Sequence, residues 1–315
     1  MLANKLVYQF RDDLHTLPGP YLTGNKSRKF KYLLKHLPDK VDTIVSHGGV
    51  QSNAMVALAA LGMATKTSVV YYCKKPGRWL TTNPSGNYHR ALSLGIELRY
   101  LKNDEYSEKF PTTPMLQPIL DPPEEAGRSL WVPQGGAMKE AQEGCYDLAD
   151  DIYNSVQEGV PTTVVIPAGT GTTSLFLHRR ILDLCKAGDK DIKVFPVACV
   201  AGREDLERQM RALSSATWSG ETGEEQLPKI LDPFIPFASV DKRILSAWRE
   251  AKEAGMYLDL VYGAVAVHTV TQCWKKSDIL NGRQVMFVNT GGLEGVASMM
   301  NRYKHAGMVE DGELY

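Results

Sequence analysis

Short β-branched runs alternate along this chain with stretches whose apolar positions recur every three or four residues. "DTIVS" precedes "SNAMVALAALGM", "KTSVVYYC" precedes "NYHRALSLG", and "IELRYL" follows. Farther on, "TTVVIPA" precedes "TSLFLHRRILDLC", "IKVFPVACV" precedes "REDLERQMRAL", and "RQVMFVNT" precedes "LEGVASMMNRY". Runs of the first kind predict strands and those of the second predict helices. Their alternation over short links predicts an α/β protein with doubly wound, mainly parallel sheets. In such sheets ligands bind where loops leave the carboxyl ends of the strands. Two stretches break the rhythm. Residues 102–128 carry Pro111, Pro114, Pro118, Pro122 and Pro123, and residues 216–240 look similarly loop-like, so both read as irregular.

The earliest helical pattern is "TGNKSRKFKYLLKHL", residues 23–37, with apolar positions at Phe30, Leu33, Leu34 and Leu37. Extending that stripe back by four residues lands on Lys26. Arg28, Lys31 and Lys35 fall on the far side and are expected to face solvent, while Lys29 lies at the stripe's edge and can snorkel. A lysine on the apolar face of a first helical turn is partly desolvated and feels the positive end of the helix dipole. Both effects favour the neutral amine, the nucleophile that forms Schiff bases. The plainer alternative is that the stripe ends at Phe30 and Lys26 reaches water.

Composition removes function classes more than it adds them. The 315 residues allow two domains, and 36 basic residues balance 36 acidic ones. That balance gives no support for a nucleic-acid or membrane partner. The five cysteines are scattered, with no C-x-x-C, and no histidines cluster at metal-ligand spacing. Reduced thiols in a cytoplasm, and no metal, are expected. "MLANKLVYQFRDD" reaches charge too early for a secretory signal, and no apolar run approaches the ~18 residues of a membrane span.

The predicted strand ends carry the candidate chemistry. In "HGGVQSNA", Ser52 and Asn53 open a helix, either as plain N-caps or as donors converging on something anionic. His47 reads as a satisfied turn residue. "PAGTGTTS" sets Gly169, Thr170, Gly171, Thr172, Thr173 and Ser174 between a strand and a helix. Backbone N–H groups and hydroxyls there make a phosphate cup, or merely a flexible turn. The segment lacks the Gly-Lys-Ser/Thr of a Walker loop and the third glycine and later acid of a dinucleotide fingerprint, so a monophosphate without metal fits it best. "VNTGGLEG" is another glycine turn with Thr290 as its hydroxyl. "LDLVYGAVAV" sets Tyr262 inside an apolar run, where one hydrogen bond would satisfy it.

A phosphate and a carbonyl for a lysine are the two handles of pyridoxal 5′-phosphate. "GNKSRKFKYLL" and "GGVQSNA", within a stretch from "FRDDL" to "NTGG", are similar to the 1-aminocyclopropane-1-carboxylate (ACC) deaminase and D-cysteine desulfhydrase family. The resemblance implies a pyridoxal-phosphate enzyme of the tryptophan synthase β-like fold (fold type II), with the active site in the cleft between two domains. Residues 1–40 and 149–315 would form the large cofactor domain and 41–148 the small inserted one, and a homodimer is expected. It implies Lys26 as the Schiff-base lysine, Asn53 beside the cofactor's ring oxygen, and Ser52 with Gln51 facing the substrate. Thr170 to Thr173 would form the phosphate cup, Tyr262 the active-site tyrosine, and Thr290 the partner of the pyridine nitrogen.

Three departures stand inside the match, besides an N-terminal strand expected to be short. Where ACC deaminases carry a glutamate after the tyrosine, this chain has Gly263. Their "HLGG" reads "NTGG" here, and Phe234 and Phe237 occupy the region of their second active-site tyrosine. The expected activity is therefore β-elimination from a small, D-cysteine-like amino acid, giving a 2-oxo acid and ammonia, with ACC deamination as the alternative. Two other classes compete. One is a non-catalytic binder of a phosphorylated metabolite, and the other a nucleotide-dependent oxidoreductase, which the missing fingerprint disfavours.

Overall fold

The computed structural model describes residues 5–37, 41–110, 128–218 and 226–310. Among the described residues, eight strands form two sheets of four. In one, β1 (Val7–Phe10), β8 (Gln284–Val288), β6 (Thr162–Ala168) and β7 (Ile192–Ala198) lie in that order. In the other the order is β4 (Glu97–Leu101), β3 (Ser68–Lys74), β2 (Thr43–His47) and β5 (Ser129–Trp131). Every pairing of named strands is parallel, with Val7 opposite Val285 and Thr162 opposite both Ile192 and Gln284.

Helices cover both faces of the first sheet, which explains why its strands read as unbroken apolar runs. All seven residues of β6 are buried. Successive side chains go to opposite faces. Val164 and Ile166 pack with α6 (Gln142–Ser155) and α7 (Thr172–Ala187). Val165 packs with α9 (Lys242–Glu253), α10 (Gly263–Lys276) and α11 (Val296–His305). A third cluster joins α1 (Gly24–His36) and α2 (Asn53–Thr65) to the second sheet and to α8 (Arg203–Thr217). The remaining helices, α3 (Arg78–Thr82), α4 (Gly86–Ser93) and α5 (Asn103–Lys109), belong to the second sheet's connections.

The structure departs from the sequence reading in segment 103–109 and at Arg28, among other places. Residues 103–109 are helical rather than irregular, whereas 111–127 lie outside the described residues. Arg28, expected in solvent, is 5% exposed. Its guanidinium donates to Asp12 at 2.9 Å and pairs with Asp151 at 2.8 Å, so two carboxylates replace the water it loses. Among the described residues no helix is long and apolar enough to cross a membrane, and no cluster of metal-ligating side chains occurs.

Candidate active site

α1 begins against the turn that follows β8. Gly24 has φ +57°, and a Cβ there would fall 2.3 Å from Thr290 O, so only glycine lets the two backbones meet. The Asn25 N–H donates to the same carbonyl at 3.3 Å. That contact puts Lys26, in the first turn of α1, beside Thr290. The Lys26 amine donates to Asn25 Oδ1 at 2.9 Å, and burial lowers its pKa from 10.5 to about 7, with the Lys29 charge as second cause. Lys29 is buried, not snorkelling. Its amine donates to Gly135 O at 2.9 Å, and burial lowers it to about 8. The Arg28 pairs fasten α1 to the N-terminal segment and to α6, while burial still raises Asp12 to about 6.

Ser52 caps α2, its Oγ accepting from the Ala54 N–H at 3.1 Å, and the buried Tyr71 hydroxyl lies against it. Asn53 is the first residue of the helix and lines one pocket with Lys26, Thr290, Asn87 and Gly292. Gln51 points elsewhere. Its Oε1 accepts from Asn87 N at 2.8 Å and Tyr88 N at 3.3 Å, and its Nε2 donates to Ser85 O at 3.1 Å. Its carboxamide is spent on the start of α4, which leaves at most one N–H for a substrate. His47 donates to or accepts from the Tyr106 hydroxyl at 3.0 Å and stacks on both Phe110 and Trp131, which also stack on each other, and burial lowers it to about 4.

The 169–174 turn runs from the end of β6 into α7. Its first-turn N–H groups have no intrahelical carbonyl to meet. Thr170 and Thr172 share a hydrogen bond of 2.9 Å, and Ser174 donates to Gly171 O at 3.0 Å. Thr173 Oγ1 is buried without a hydrogen bond in the protein, the weakly polar Cys145 thiol being its neighbour. Gly135 packs against Thr170, so the Lys29 amine that holds Gly135 brings a cation to the rim of the cup.

The apolar run around Tyr262 proves to be the start of a helix. Tyr262 is the N-cap of α10, placed by Asp259, whose carboxylate accepts from the N–H groups of Val261, Tyr262 and Gly263 at 2.8, 2.6 and 2.9 Å. The Tyr262 ring lies against Gly169 and meets Phe237 edge-on, 6.0 Å between centroids. Burial raises the phenol above its ordinary value. A Cβ at Gly263 would lie 2.9 Å from Leu258 Cβ and 3.2 Å from Asp259 Oδ2. A side chain at this position therefore requires Leu258 or Asp259 to shift.

Lys26, Asn53 and Thr290 thus share one pocket, and Tyr262 adjoins the 169–174 turn. Gln51 is turned away. A separate cavity between α1 and α8, lined by Tyr32, Leu33, Trp131 and Leu213, holds none of these groups. Sequence reading missed Lys29, Asn87 and Asp259. Only Asp259 left a signal, an aspartate three residues ahead of a helix-capping tyrosine.

Two parallel sheets, a lysine at a helix start and a hydroxyl-lined glycine turn at a strand end define the class, the tryptophan synthase β-like α/β fold. No family model matches the chain. Over 95% of its length it is 23% identical to 1-aminocyclopropane-1-carboxylate deaminase of Bradyrhizobium sp. (strain BTAi1), covering 90% of that protein. It is 22% identical to the mitochondrial bifunctional D-cysteine desulfhydrase/1-aminocyclopropane-1-carboxylate deaminase of Arabidopsis thaliana, over 95% of this chain and 77% of that one. A crystal structure of an ACC deaminase homologue superposes with a TM-score of 0.75 at 21% identity, covering 96% of this chain and 89% of that one. The family resemblance drawn from the motifs is the one these comparisons return.

Proposed function

We propose that the protein is a pyridoxal 5′-phosphate-dependent enzyme acting on a small amino acid, and that its preferred reaction is β-elimination. The observation that carries the reading is the Lys26 amine, brought to about 7 beside Asn53 and Thr290. The residues present fit the cofactor. Thr173 Oγ1 is a buried hydroxyl whose neighbour is the weakly accepting Cys145 thiol, the first turn of α7 offers N–H groups, and Lys29 stands at the rim, a donor set suited to a phosphate. Lys26 would hold the cofactor covalently, Thr170 to Thr173 its phosphate, Asn53 its ring oxygen and Thr290 its pyridine nitrogen. When bound, the cofactor supplies an electron sink for a substrate carbanion.

The chain's own groups then bias the substrate. Ser52 Oγ accepts from Ala54 N–H and lies against the Tyr71 hydroxyl, so it would serve a substrate carboxylate only by turning its hydrogen away from Tyr71. Gly263 leaves Tyr262 without an adjacent glutamate, and the ring next to it is Phe237 rather than a second phenol. A hydroxyl such as Thr290 would leave the pyridine nitrogen neutral, and the electron sink the cofactor supplies would be shallow. Opening a cyclopropane with no leaving group asks for a deep sink, whereas expelling a thiolate does not. D-cysteine plus water would give pyruvate, hydrogen sulfide and ammonia.

ACC deamination is the second reading, favoured by the name of the Bradyrhizobium relative. Borohydride should bleach a yellow protein, and peptide mapping should place the pyridoxyl group on Lys26. A label on Lys29, or on no lysine, refutes the assignment, and the latter leaves a phospho-metabolite binder. Sulfide release from D-cysteine is then compared with 2-oxobutanoate release from ACC at equal concentrations. Faster ACC turnover would reverse the preference.

A further inference from the structure

Asn53 is gripped by a chain of side-chain hydrogen bonds that the reading above leaves unused. Asn87, 2% exposed in the first turn of α4, sends Nδ2 to Gln51 O at 3.0 Å and to Asn53 Oδ1 at 2.6 Å. Its Oδ1 faces Arg90 Nη1 at 3.3 Å, and that nitrogen also donates to Glu294 O at 2.8 Å. Arg90 is further steadied by the Tyr21 ring, 5.8 Å away.

A carboxamide can turn over at little cost unless its partners forbid it. Here both ends of Asn87 are fixed by groups whose polarity cannot change. A guanidinium only donates, so the atom facing Arg90 is the oxygen. A main-chain carbonyl only accepts, so the atom facing Gln51 O is the nitrogen. With one hydrogen of Nδ2 spent on Gln51, the other goes to Asn53, whose bonded atom must be Oδ1. The end of Asn53 left over is Nδ2, next to Gly292 in the pocket that also holds Lys26 and Thr290. It presents N–H donors and no acceptor.

We propose that Arg90 and Asn87 are positioning residues that lock Asn53 as a donor, so that whatever sits beside Lys26 meets Asn53 through an anionic or acceptor oxygen. Resting on the pyridoxal-phosphate reading, that oxygen is the ring hydroxyl, and the relay holds it ionised. If the chain only pinned α4 to the rest of the protein, breaking it would cost stability without changing the ionisation of the bound ring.

Asn87→Asp separates the two. The new carboxylate is nearly the same shape but cannot donate to Asn53 or to Gln51 O. Asn53 is then free to turn its oxygen into the pocket, toward the ring oxygen. The readout is the absorption of the cofactor-loaded protein against pH, visible for the ionised ring oxygen and near-ultraviolet for the neutral one. The midpoint should rise by about one pH unit or more, a tenfold change in the ratio. Arg90→Met should move it the same way by less, since Gln51 O still orients Asn87, and Arg90→Lys, which keeps a donor, should leave it near the parent. Borohydride labelling runs alongside. Lys26 labelled with an unmoved midpoint in both Asn87→Asp and Arg90→Met overturns the relay while the pyridoxal-phosphate reading stands. No labelled lysine in the parent protein overturns both. If Asn87→Asp does not fold, as judged by circular dichroism, the Arg90 pair decides alone, equal midpoints in Arg90→Met and Arg90→Lys refuting the proposal.

Discussion

Placing a glutamate at position 263 should damage the fold rather than create an ACC deaminase. The first Cβ already falls 2.9 Å from Leu258 Cβ and 3.2 Å from Asp259 Oδ2, in a buried turn. Overpacking of that kind costs roughly 1–3 kcal/mol, less up to about 1 kcal/mol gained by removing glycine's freedom in the unfolded chain. Gly263→Ala is therefore expected roughly 0–3 kcal/mol below the parent, a fall in Tm of up to about 10 °C. Gly263→Glu adds a second carboxylate against Asp259, which is 5% exposed and already raised by its burial. An uncompensated buried charge costs about 3–5 kcal/mol more, so Tm should fall by roughly 10 °C or beyond at neutral pH. The sign with pH follows. The introduced carboxyl would have a folded pKa above its unfolded value near 4.3, so the folded state favours the protonated form. The deficit should be smallest near pH 5 and grow as pH rises. Thermal melts of both variants at pH 5 and 7.5, with ACC and D-cysteine turnover beside them, test this. A Gly263→Glu protein that melts with the parent and turns over ACC faster would refute the packing argument and the substrate argument built on it.

Other parts of the site give expectations of the same kind. Arg28→Met strips Asp12 of its buried partner, so it should lower stability by about 3–5 kcal/mol at pH 7.5. Because Asp12 is already raised to about 6, the loss should shrink at pH 5, where the carboxyl protonates, and an unchanged loss in denaturant titrations would rule the pair out as its cause. Cofactor uptake by the apo protein should speed up as pH rises through about 7 and then level off, because Lys26 is lowered to that value and only its neutral amine attacks. A stopped-flow profile still climbing above pH 9 would show an ordinary lysine. Thr172→Ala or Thr173→Ala should weaken cofactor binding by about ten- to a hundredfold, and affinity equal to the parent's in both variants by fluorescence titration would move the cup elsewhere.

The sheets were legible where both faces are covered, because burial on both sides leaves an unbroken apolar run. β6 is the clear case. β5 was not, since three half-buried residues following a proline-rich stretch carry no period. α10 hid for another reason. "GAVAVHTV" is apolar all round because the helix is buried all round, and such a run cannot be told from a strand by spacing alone. With the helix start went Asp259, whose carboxylate accepts from the N–H groups of Val261, Tyr262 and Gly263 and so sets the orientation of Tyr262.

Within the site, what could be read was whatever depends on one element, and what was lost depends on partners far along the chain. The stripe of α1 fixes which way Lys26 leaves the helix. No period fixes the fate of Arg28, which is decided by Asp12, sixteen residues back, and by Asp151 on α6. The triple Gln51-Ser52-Asn53 shows the limit most sharply. Three polar residues in a row at a helix start look interchangeable as ligands, yet the chain turns each one differently. Gln51 spends its carboxamide on α4, Ser52 spends its lone pair on the cap, and Asn53 alone lines the pocket. Which end of Asn53 lines it is settled by Asn87, itself fixed by the Gln51 main-chain carbonyl, which can only accept, and by Arg90, which no motif includes and which can only donate. The polarity of a binding site is thus carried by the first group in its hydrogen-bond chain that cannot be turned around.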